Sequence, residues 1–433
     1  MTAMTAHDER VRGALQRALA TVPFYAKQSL AGLVTPDAPI DDVLARLPLL
    51  TRDRVRPTLP KQWFPEGRDA KAELAAGSVA VIEVGGAARV RALFDPKWWR
   101  KQELAALATN PHAKSVLDGE VGAFKDAVLW VPERGTGSCG AGDPGYDDRL
   151  EGTRLHLNSR QDPTFWTEPV MTRMLDELSL HETKALFADP FYLDVLARHA
   201  AILGRRLDVR GWISTMRARP TLAQRAALAR VFQGTYIDVL GAREVGTLFV
   251  QQDDGNMHHA GISTHVELLR ARVETPGAED VALVVVTTLD REVQPLVRYV
   301  LGDLVQVAPN APNAPNANGA SIRTVEGTLD DALVRPDGAL VTAGAIDRAI
   351  GDGPRGYQAT QAAPGEVEIE VVGGSAAEVQ ERLAPLLAGM KVTARAATAI
   401  GVEPNGKYRT TRRTAPALAV EAVFETAGGD AAS

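Results

Sequence analysis

Two short segments combine glycines with an acidic side chain directly after an apolar, strand-like run. The first runs from Gly241 to Gly246 and contains Glu244, and the second runs from Tyr299 to Asp303. Glycines permit close approach of a ligand to the backbone, and carboxylates at strand ends can meet a ribose hydroxyl or a metal ion. Ordinary turn formation accounts for the same residues equally well, so their spacing leaves both interpretations open.

A lysine on a tight turn lies near the C-terminus, in the segment Pro404–Arg409. The ammonium group of Lys407 is a mobile point charge that can reach a phosphate or a carboxyl group on which charge develops. A solvated surface lysine would give the same pattern.

The single cysteine, Cys139, lies in the glycine-rich segment 135–140, which matches G-x-G-x-x-G. Pro144 and Gly145 interrupt the helix that a dinucleotide-binding fingerprint requires, so the pattern favours a flexible loop. Such a loop makes a thiol accessible, and a histidine such as His258 could lower its pKa to give a nucleophile. A loop thiol without a role is the alternative. One cysteine excludes an internal disulfide and a cysteine-built zinc site.

Three histidines, His258, His259 and His265, cluster in the sequence. Zinc usually takes four ligands, and no cysteine lies nearby, so a polar face or a substrate contact is favoured over a metal site.

Composition limits the class of protein. The 433 residues are 45% hydrophobic and carry a net charge of -6, which gives enough material for a core and no general attraction to nucleic acid. The first residues are too charged for a secretory signal, and no apolar run reaches the roughly 18 residues of a membrane helix. We therefore expect a cytoplasmic, multidomain protein with neither a nucleic-acid nor a membrane partner.

Alternating strand and helix patterns fill the middle of the chain and predict a layered α/β domain with a largely parallel sheet. After an opening helix at Val11–Leu19, the predicted strands and helices alternate, and the later strands have no helices between them, which predicts an antiparallel addition. The main segments are Ser78–Val84, Ala127–Val131, Thr167–Leu178, Lys184–Phe187, Pro190–Leu203, Gly211–Thr215, Thr235–Val239, Thr247–Gln251, His265–Leu269 and Ala282–Thr288.

The last hundred residues have a pattern of their own. A Pro/Asn tract at Ala308–Ala320 reads as an exposed linker or hairpin tip. A strand at Glu366–Val372, a helix at Ala376–Leu387 and a strand at Lys391–Ala396 then predict a small α+β domain. We place a large domain at residues 1–329 and the small one at 330–433.

Six segments, in chain order, together resemble the adenylate-forming enzymes, in particular the phenylacetate–CoA ligase and coenzyme F390 synthetase-like branch. The resemblance implies a mobile C-terminal domain hinged near Asp330. The segments are VPFYAKQSL, LARLPLLTRDRVR, ALFADPFYLDVLARHA, YIDVLGAREVGTLFV, TTLDREVQPLVRYVLGDL and EPNGKYRTTRR.

The resemblance also implies roles for individual residues. Glu244 matches the family's magnesium-associated glutamate, Asp303 the aspartate that binds the nucleotide ribose, and Lys407 the lysine that contacts the acyl-adenylate. In such enzymes ATP and a carboxylate give an acyl-adenylate, which a thiol then attacks. The remaining site residues that it implies are Gly85, Gly86, Arg298 and Tyr299 for the cofactor and Trp212, Gly241, Ala242 and Gly246 for the acyl pocket.

Several family positions are altered in this chain. The stretch aligned with the family's phosphate loop, Glu83–Val90, has no hydroxyl side chain and places a carboxylate where phosphates would lie. Leu240 replaces the aromatic residue that stacks on adenine, Leu301 replaces a threonine, and Thr328 replaces the hinge arginine. These changes argue against efficient adenylation with ATP and Mg²⁺.

Three functions remain. The sequence favours an acyltransferase that moves an acyl group, expected to be aromatic, from a coenzyme A thioester to the phosphopantetheine thiol of an acyl carrier protein. Alternatives are an ATP-dependent aryl- or acyl-CoA ligase, and a non-catalytic binding subunit. An acyl-CoA substrate, a carrier-protein partner and a homodimer follow from the resemblance only.

Overall fold

A layer of short helices opens the chain and covers one face of a β-sheet formed much later in the sequence. The computed structural model describes residues 5–84, 90–120, 124–130, 144–158, 163–216, 218–309, 319–401, 403, 407–414 and 418–426. The first helix is capped by Thr5 and Asp8, and its apolar stripe is buried, which confirms the predicted helix. The helices are α1 (Ala6–Thr21), α2 (Pro23–Ala26), α3 (Ile40–Arg46), α4 (Arg52–Val55) and α5 (Ala70–Ala76), with 3₁₀ turns at Ala31–Leu33 and Arg56–Thr58.

An antiparallel hairpin and two helices lead into the centre of the large domain. The strands are β1 (Ala80–Val84) and β2 (Val90–Phe94), and the helices are α6 (Pro96–Leu107) and α7 (Pro111–Gly119). The carboxylate of Asp95 accepts the backbone N–H of Lys97 at 2.9 Å and so caps α6, as the Asp-Pro sequence predicts.

A six-stranded sheet with the order β4-β5-β3-β6-β7-β8 forms the α/β layer. All its neighbouring strands pair in parallel except β4 with β5, because helices return the chain between strands. The predicted alternation is confirmed. Its elements are β3 (Asp126–Leu129), β4 (Leu150–Glu151), β5 (Arg154–His156), α8 (Glu168–Leu180), β6 (Ala185–Ala188), α9 (Pro190–Ile202), β7 (Trp212–Thr215), α10 (Leu222–Val231) and β8 (Thr235–Tyr236), with 3₁₀ turns at Asp147–Arg149 and Pro163–Phe165.

A seven-stranded antiparallel sheet with the order β12-β13-β14-β15-β11-β10-β9 follows, which confirms the predicted antiparallel addition. Alternate residues of β13 face opposite sides: Val284 and Val286 pack with the N-terminal helices, and Leu283 and Val285 pack with the C-terminal domain. The strands are β9 (Val239–Ala242), β10 (Gly246–Gln251), β11 (Met257–His259), β12 (Thr264–Arg270), β13 (Val281–Thr288), β14 (Tyr299–Val307) and β15 (Ser321–Thr328).

The smaller C-terminal domain is α+β, as predicted. Its main sheet has the order β20-β19-β18-β21, and the predicted strand, helix and strand are β19, α12 and β20. The sequence patterns did not predict α11, β18 and β21. The elements are β16 (Leu333–Val334), β17 (Leu340–Val341), α11 (Ala343–Ile350), β18 (Gly356–Ala363), β19 (Glu366–Val372), α12 (Ala376–Leu383), β20 (Lys391–Ala396), β21 (Thr411–Arg413) and α13 (Val420–Val423). The domain limits at 329 and 330 stay a prediction.

Candidate active site

The phenol of Tyr299 and the carboxylate of Glu244 form the buried centre of the candidate site. Tyr299 begins β14 and is 1% exposed, and Glu244 lies in the turn between β9 and β10 and is 5% exposed. The Tyr299 hydroxyl donates a hydrogen bond to Glu244 Oε1 at 3.3 Å. Arg52 lies beside both: its Nε donates to Tyr299 Oη at 3.4 Å, and its Nη2 is 3.7 Å from Glu244 Oε1.

Four charged side chains near this centre influence the pKa of Asp303. The pKa of Asp303 is raised to about 7, chiefly by burial and also by the nearby carboxylates of Glu244 and Asp331, while Arg52 and Lys407 act to lower it. Asp303 is only partly exposed, so water screens these charges weakly. The structure therefore brings Glu244, Tyr299, Asp303 and Lys407 together, as the sequence predicts, around an arginine.

The segment that carries Lys407 is held in place by its neighbours. The ring of Tyr408 stacks on Phe191 of α9 with centroids 4.4 Å apart and an interplanar angle of 14°. Arg409 forms an ion pair with Asp331, at the predicted hinge. Lys407 is thus held close enough to Asp303 to influence its protonation, and it reaches the site from the C-terminal domain.

Arg52 and Arg291 are site residues that sequence reasoning did not identify. Arg52 lies at the site because Leu50, two residues before it, forms a parallel β-bridge with Tyr299. In this bridge Val300 N donates to Leu50 O at 2.9 Å. Arg291 donates to the backbone carbonyl oxygens of Glu244 and Leu93, and burial lowers its pKa to about 10. The only signal for Arg52 was the segment LARLPLLTRDRVR, since a pairing across about 250 residues leaves no periodic trace.

Arg298, predicted to bind the cofactor, points away from this centre. Its backbone has a positive φ of 48°, and its guanidinium donates to Glu267, with Nη2 2.8 Å from Oε1, and to the carbonyl of Leu47 at 2.7 Å. Arg298 and Glu267 are both almost fully buried, so the structure shows an internal ion pair. A contact between Arg298 and a cofactor stays a prediction.

Two of the predicted acyl-pocket residues, Gly241 and Gly246, lie in a turn that packs beside α6. A Cβ at Gly246, where φ is +83°, would lie 2.5 Å from Oε1 of Gln102, and a Cβ at Gly241 would lie 2.6 Å from the Gly246 carbonyl oxygen. Gln102 fixes this turn, because it accepts from the N–H of Thr247 at 2.9 Å and donates to its carbonyl at 2.8 Å. The glycines are therefore required for close packing, and Gln102 is a further residue that the sequence patterns did not identify.

Two other predicted pocket residues have different surroundings. Trp212 is fully buried in an apolar cluster and stacks on Phe124 with centroids 5.7 Å apart. Ala242 ends β9, is partly buried and packs against the core that includes Leu240. Their role in a pocket stays a prediction.

The histidines do not form a metal site in the described part of the chain. His258 pairs with Asp254 at 2.9 Å on an exposed hairpin, whereas His265 bonds to His7 of α1 at 3.0 Å. Residues 5–84, 90–120 and the later described ranges contain no group of three or more His, Cys, Asp or Glu side chains arranged to hold a metal ion. Gly85, Gly86 and Cys139 lie outside the described residues.

Three of the altered family positions, Leu240, Leu301 and Thr328, have structural contacts. Leu240 and Leu301 are buried in the core that the N-terminal helices share with the seven-stranded sheet. The Thr328 hydroxyl donates to Asp331 Oδ2 at 2.7 Å. The described residues include no helix with the length and hydropathy needed to cross a membrane.

Comparison with known proteins identifies the fold. No family model matches the sequence, and no curated protein matches it. The structure is similar to 2-hydroxyisobutyryl-CoA ligase in the postadenylation state with R3-HIB-AMP, with a TM-score of 0.65, 16% identity, and coverage of 94% of this chain and 88% of that chain. The same ligase in an open conformation with 2-HIB-AMP and CoA gives 0.56 and 16%, covering 94% and 90%. In its thioesterification state it gives 0.52 and 16%, covering 95% and 91%. The chain therefore has the fold of an adenylate-forming CoA ligase, with a large N-terminal domain and a smaller C-terminal domain.

Proposed function

We propose that the chain is an ATP-dependent acyl-CoA ligase, which joins a carboxylic acid to a thiol through an acyl-adenylate. The observation that carries the proposal is that Lys407 lies within electrostatic reach of Asp303, near the hydrogen-bonded Glu244–Tyr299 pair. A lysine of the C-terminal domain near a carboxylate that would bind ribose suits adenylation. Transfer between thioesters does not require such a positive charge. The fold comparison supports this function over transfer without adenylation.

The site residues would act by position and charge. In the first step a substrate carboxylate oxygen attacks the α-phosphorus of ATP and pyrophosphate leaves; in the second, a thiolate attacks the acyl carbon and AMP leaves. Lys407 would offset negative charge on the transferring group, and Asp303 would accept hydrogen bonds from the ribose hydroxyls. Tyr299 holds Glu244 in place through its hydroxyl proton, and Arg52 balances the charge of that carboxylate.

Glu244 fits the way proteins bind Mg²⁺ with a nucleotide, through one or two carboxylates and the substrate phosphates. Its carboxylate already meets Tyr299 and Arg52, and a bound Mg²⁺ would supply charge neutralisation for those phosphates. Aromatic acids remain the expected substrate class, from the resemblance alone.

Transfer of an acyl group from coenzyme A to the phosphopantetheine of an acyl carrier protein is the second candidate. Two observations favour it. The stretch Glu83–Val90 contains no hydroxyl side chain. Thr328 stands where the family has its hinge arginine, and its hydroxyl donates a hydrogen bond to Asp331. In one route the carrier thiol attacks the acyl-CoA directly and releases coenzyme A. In the other, Cys139 takes the acyl group first, with His258 as its base.

Acyl loading, followed by intact mass, separates the candidates. Free aryl acids with coenzyme A and ATP, and acyl-CoA with a holo carrier protein and no ATP, are offered to the purified protein in parallel. We expect acyl-CoA and AMP in the first reaction; product only in the second would overturn the ligase and support the transferase. No product in either reaction, across a panel of acids, would favour a binding subunit. Normal transfer by Cys139→Ala would exclude the covalent route.

A further inference from the structure

We propose that Phe191 is a positioning residue for adenylation, because its ring stacks on Tyr408, the residue that follows Lys407 in the chain. Phe191 lies near the start of α9 in the large domain, whereas Tyr408 and Lys407 belong to the C-terminal domain. Movement of the C-terminal domain would break the stack, and its return would remake it. This role rests on the proposed ligase function, and it adds to that function a residue of the large domain that holds the lysine at the site.

The two rings make a close and nearly parallel contact. Their centroids are 4.4 Å apart and their planes are 14° from parallel. Tyr408 is buried and Phe191 is partly buried, and they share a small apolar cluster that is separate from the larger core of the C-terminal domain. A pair of stacked aromatic rings shifts an equilibrium toward the contact by roughly 2- to 10-fold beyond the effect of the buried area. The contact is therefore strong enough to favour one arrangement of the two domains and weak enough to let that arrangement change.

Each ring is fixed by its own domain. The Asp189 carboxylate caps α9 and accepts the backbone N–H of Phe191 at 3.0 Å, so the position of Phe191 follows that of the helix. The Tyr408 hydroxyl donates to the backbone carbonyl of Tyr357 in β18 at 2.6 Å, so its ring follows the sheet of the C-terminal domain. The stack therefore joins regular elements of two different domains.

Lys407 is held through the backbone of its own segment. The N–H of Glu403 donates to the Lys407 carbonyl at 2.8 Å, and Gln358 Nε2 donates to the Arg409 carbonyl at 2.7 Å. A lysine side chain has many rotamers, so restriction of its backbone reduces the number of positions that the ammonium group samples. The stack thus favours the positions within electrostatic reach of Asp303.

The ion pair of Arg409 with Asp331 cannot replace the stack. By the predicted domain limits both residues belong to the C-terminal domain, so their pair moves with that domain. The stack on Phe191 is a contact with the large domain, which also carries Asp303. Loss of the Phe191 ring should therefore weaken the hold on the lysine without unfolding either domain.

The two half-reactions, measured separately, test this role. Acyl-AMP formation is followed by pyrophosphate release, and thioester formation is started from supplied acyl-AMP and coenzyme A. We expect Phe191→Ala and Phe191→Leu to slow the first step by about tenfold, because both lack the ring, and to leave the second within about twofold. Phe191→Tyr keeps the ring and should retain both rates, as should Phe165→Ala, which removes a ring that is 64% exposed. Equal losses in the two steps, or no loss in the first, would overturn the role.

A double-mutant cycle shows whether Phe191 acts through Lys407. In the Lys407→Ala background the stack has no charge to position, so we expect Phe191→Ala to slow acyl-AMP formation by less than about twofold. A further loss of about tenfold in that background would mean that Phe191 supports the site by another route, and the positioning role would be wrong.

Amide hydrogen exchange tests the contact without any reaction. The amide of Glu403 is followed in the chain without ligands, because it donates to the Lys407 carbonyl. We expect its exchange to be at least about fivefold faster in Phe191→Leu than in the wild type, and within about twofold of the wild type in Phe191→Tyr. The amide of Val300, which donates to Leu50 in the large domain, is the control and should not change.

The exchange and kinetic experiments separate this role from the ligase function. Unchanged exchange at Glu403 in Phe191→Leu would overturn the positioning role even if the wild type forms acyl-AMP. A wild type that forms no acyl-AMP would refute the ligase function alone. Faster exchange in Phe191→Leu would then still show that the ring positions the segment of Lys407.

Discussion

Arg52 sets the charge balance of the site at the scale of single residues. The carboxylates of Glu244 and Asp331 raise the pKa of Asp303, and the positive charges of Arg52 and Lys407 oppose this effect. Burial makes each of these interactions stronger than it would be in water. A cation therefore has to be present permanently, and a guanidinium is suited to this task because it stays charged.

Asp303 should make nucleotide binding depend on pH near neutrality. Only the ionised carboxylate is a pure hydrogen-bond acceptor, and the pKa of Asp303 is raised to about 7. Affinity for ATP or AMP, measured by calorimetry, should therefore rise as the pH increases from 6 to 8. Asp303→Asn should bind more weakly and without this pH dependence, whereas the exposed Asp118→Asn should behave as wild type; an unchanged slope in Asp303→Asn would contradict the assignment.

The same shift has a consequence for stability. The folded state holds a proton on Asp303 between about pH 4 and pH 7 that the unfolded state has released, so this group makes the fold less stable as the pH rises through that range. The Asp303→Asn variant should not show this loss of stability with rising pH. Its Tm at pH 8, measured by thermal melting, should be higher than that of the wild type.

Lys407 should matter for adenylation and not for folding. Removing a charge-stabilising group from a transferring centre typically lowers a rate by about 10²–10³-fold. Lys407→Ala should show such a loss in acyl-AMP formation, measured by pyrophosphate release, with a Tm within about 1 °C of wild type because the side chain is partly exposed. Lys407→Arg is the matched control that keeps the charge, and full activity in Lys407→Ala would remove this lysine from the mechanism.

At the scale of helices and strands, local patterns predicted most of the fold. The strands and helices between Ala127 and Val239 were predictable because each has its own period, and two of the helices have a capping side chain, as Thr221 shows by accepting the N–H of Gln224. The strand β18 was missed because Gly, Gln and Thr dilute its apolar pattern, and the helix α11 is only eight residues long, which leaves little periodic signal.

The candidate site was predictable only in part. Glu244, Asp303 and Lys407 were found through motifs within a few residues. Arg52 and Gln102 were not, because their places depend on the Leu50–Tyr299 bridge and on the packing of α6 against β10. The sequence motif could not show that the guanidinium of Arg298, whose φ is positive, pairs with Glu267, because that contact spans about 30 residues; its cofactor role stays a prediction.

The contact of α1 with the seven-stranded sheet should be sensitive to acid. His265 and His7 share a buried hydrogen bond, and burial lowers the pKa of His265 to about 3, with His7 and His259 lowering it as well and Asp8 opposing them. A base with a lowered pKa loses stability as the pH falls below its unfolded value of 6.5. One such histidine corresponds to about 2 kcal/mol between pH 7 and pH 5.

Denaturant unfolding at pH 7 and pH 5 measures this effect. His265→Gln removes the titratable ring and should reduce the loss of unfolding free energy between the two pH values. The exposed His258→Gln is the matched control and should leave the loss unchanged. An identical pH response in wild type and His265→Gln would contradict the prediction.

At the scale of the whole molecule, the seven-stranded sheet connects the N-terminal helices to the C-terminal domain. The seven-stranded sheet packs its one face on the N-terminal helices and its other face on the C-terminal domain, so two hydrophobic cores meet in a single layer of strands. The Asp347–Arg219 pair and the Tyr408–Phe191 stack add contacts to the α/β layer. Unfolding of the N-terminal helices or of the C-terminal domain would therefore uncover one face of this sheet, and the sheet supports the part that packs on its opposite face.

This coupling predicts one cooperative unfolding transition despite two domains. In calorimetry we expect a single peak for the wild type, because the main apolar cluster of the described C-terminal residues is shared with the seven-stranded sheet. Phe424→Ala should destabilise the whole chain by about 3–5 kcal/mol, as expected for a buried aromatic truncated to alanine, and should move the entire peak downward. The control Leu180→Ala, whose side chain is 76% exposed, should change the Tm little. A second peak in the wild type, or a shift confined to one of two peaks in Phe424→Ala, would show that the domains melt independently, because a shared core cannot lose one half while the other half stays folded.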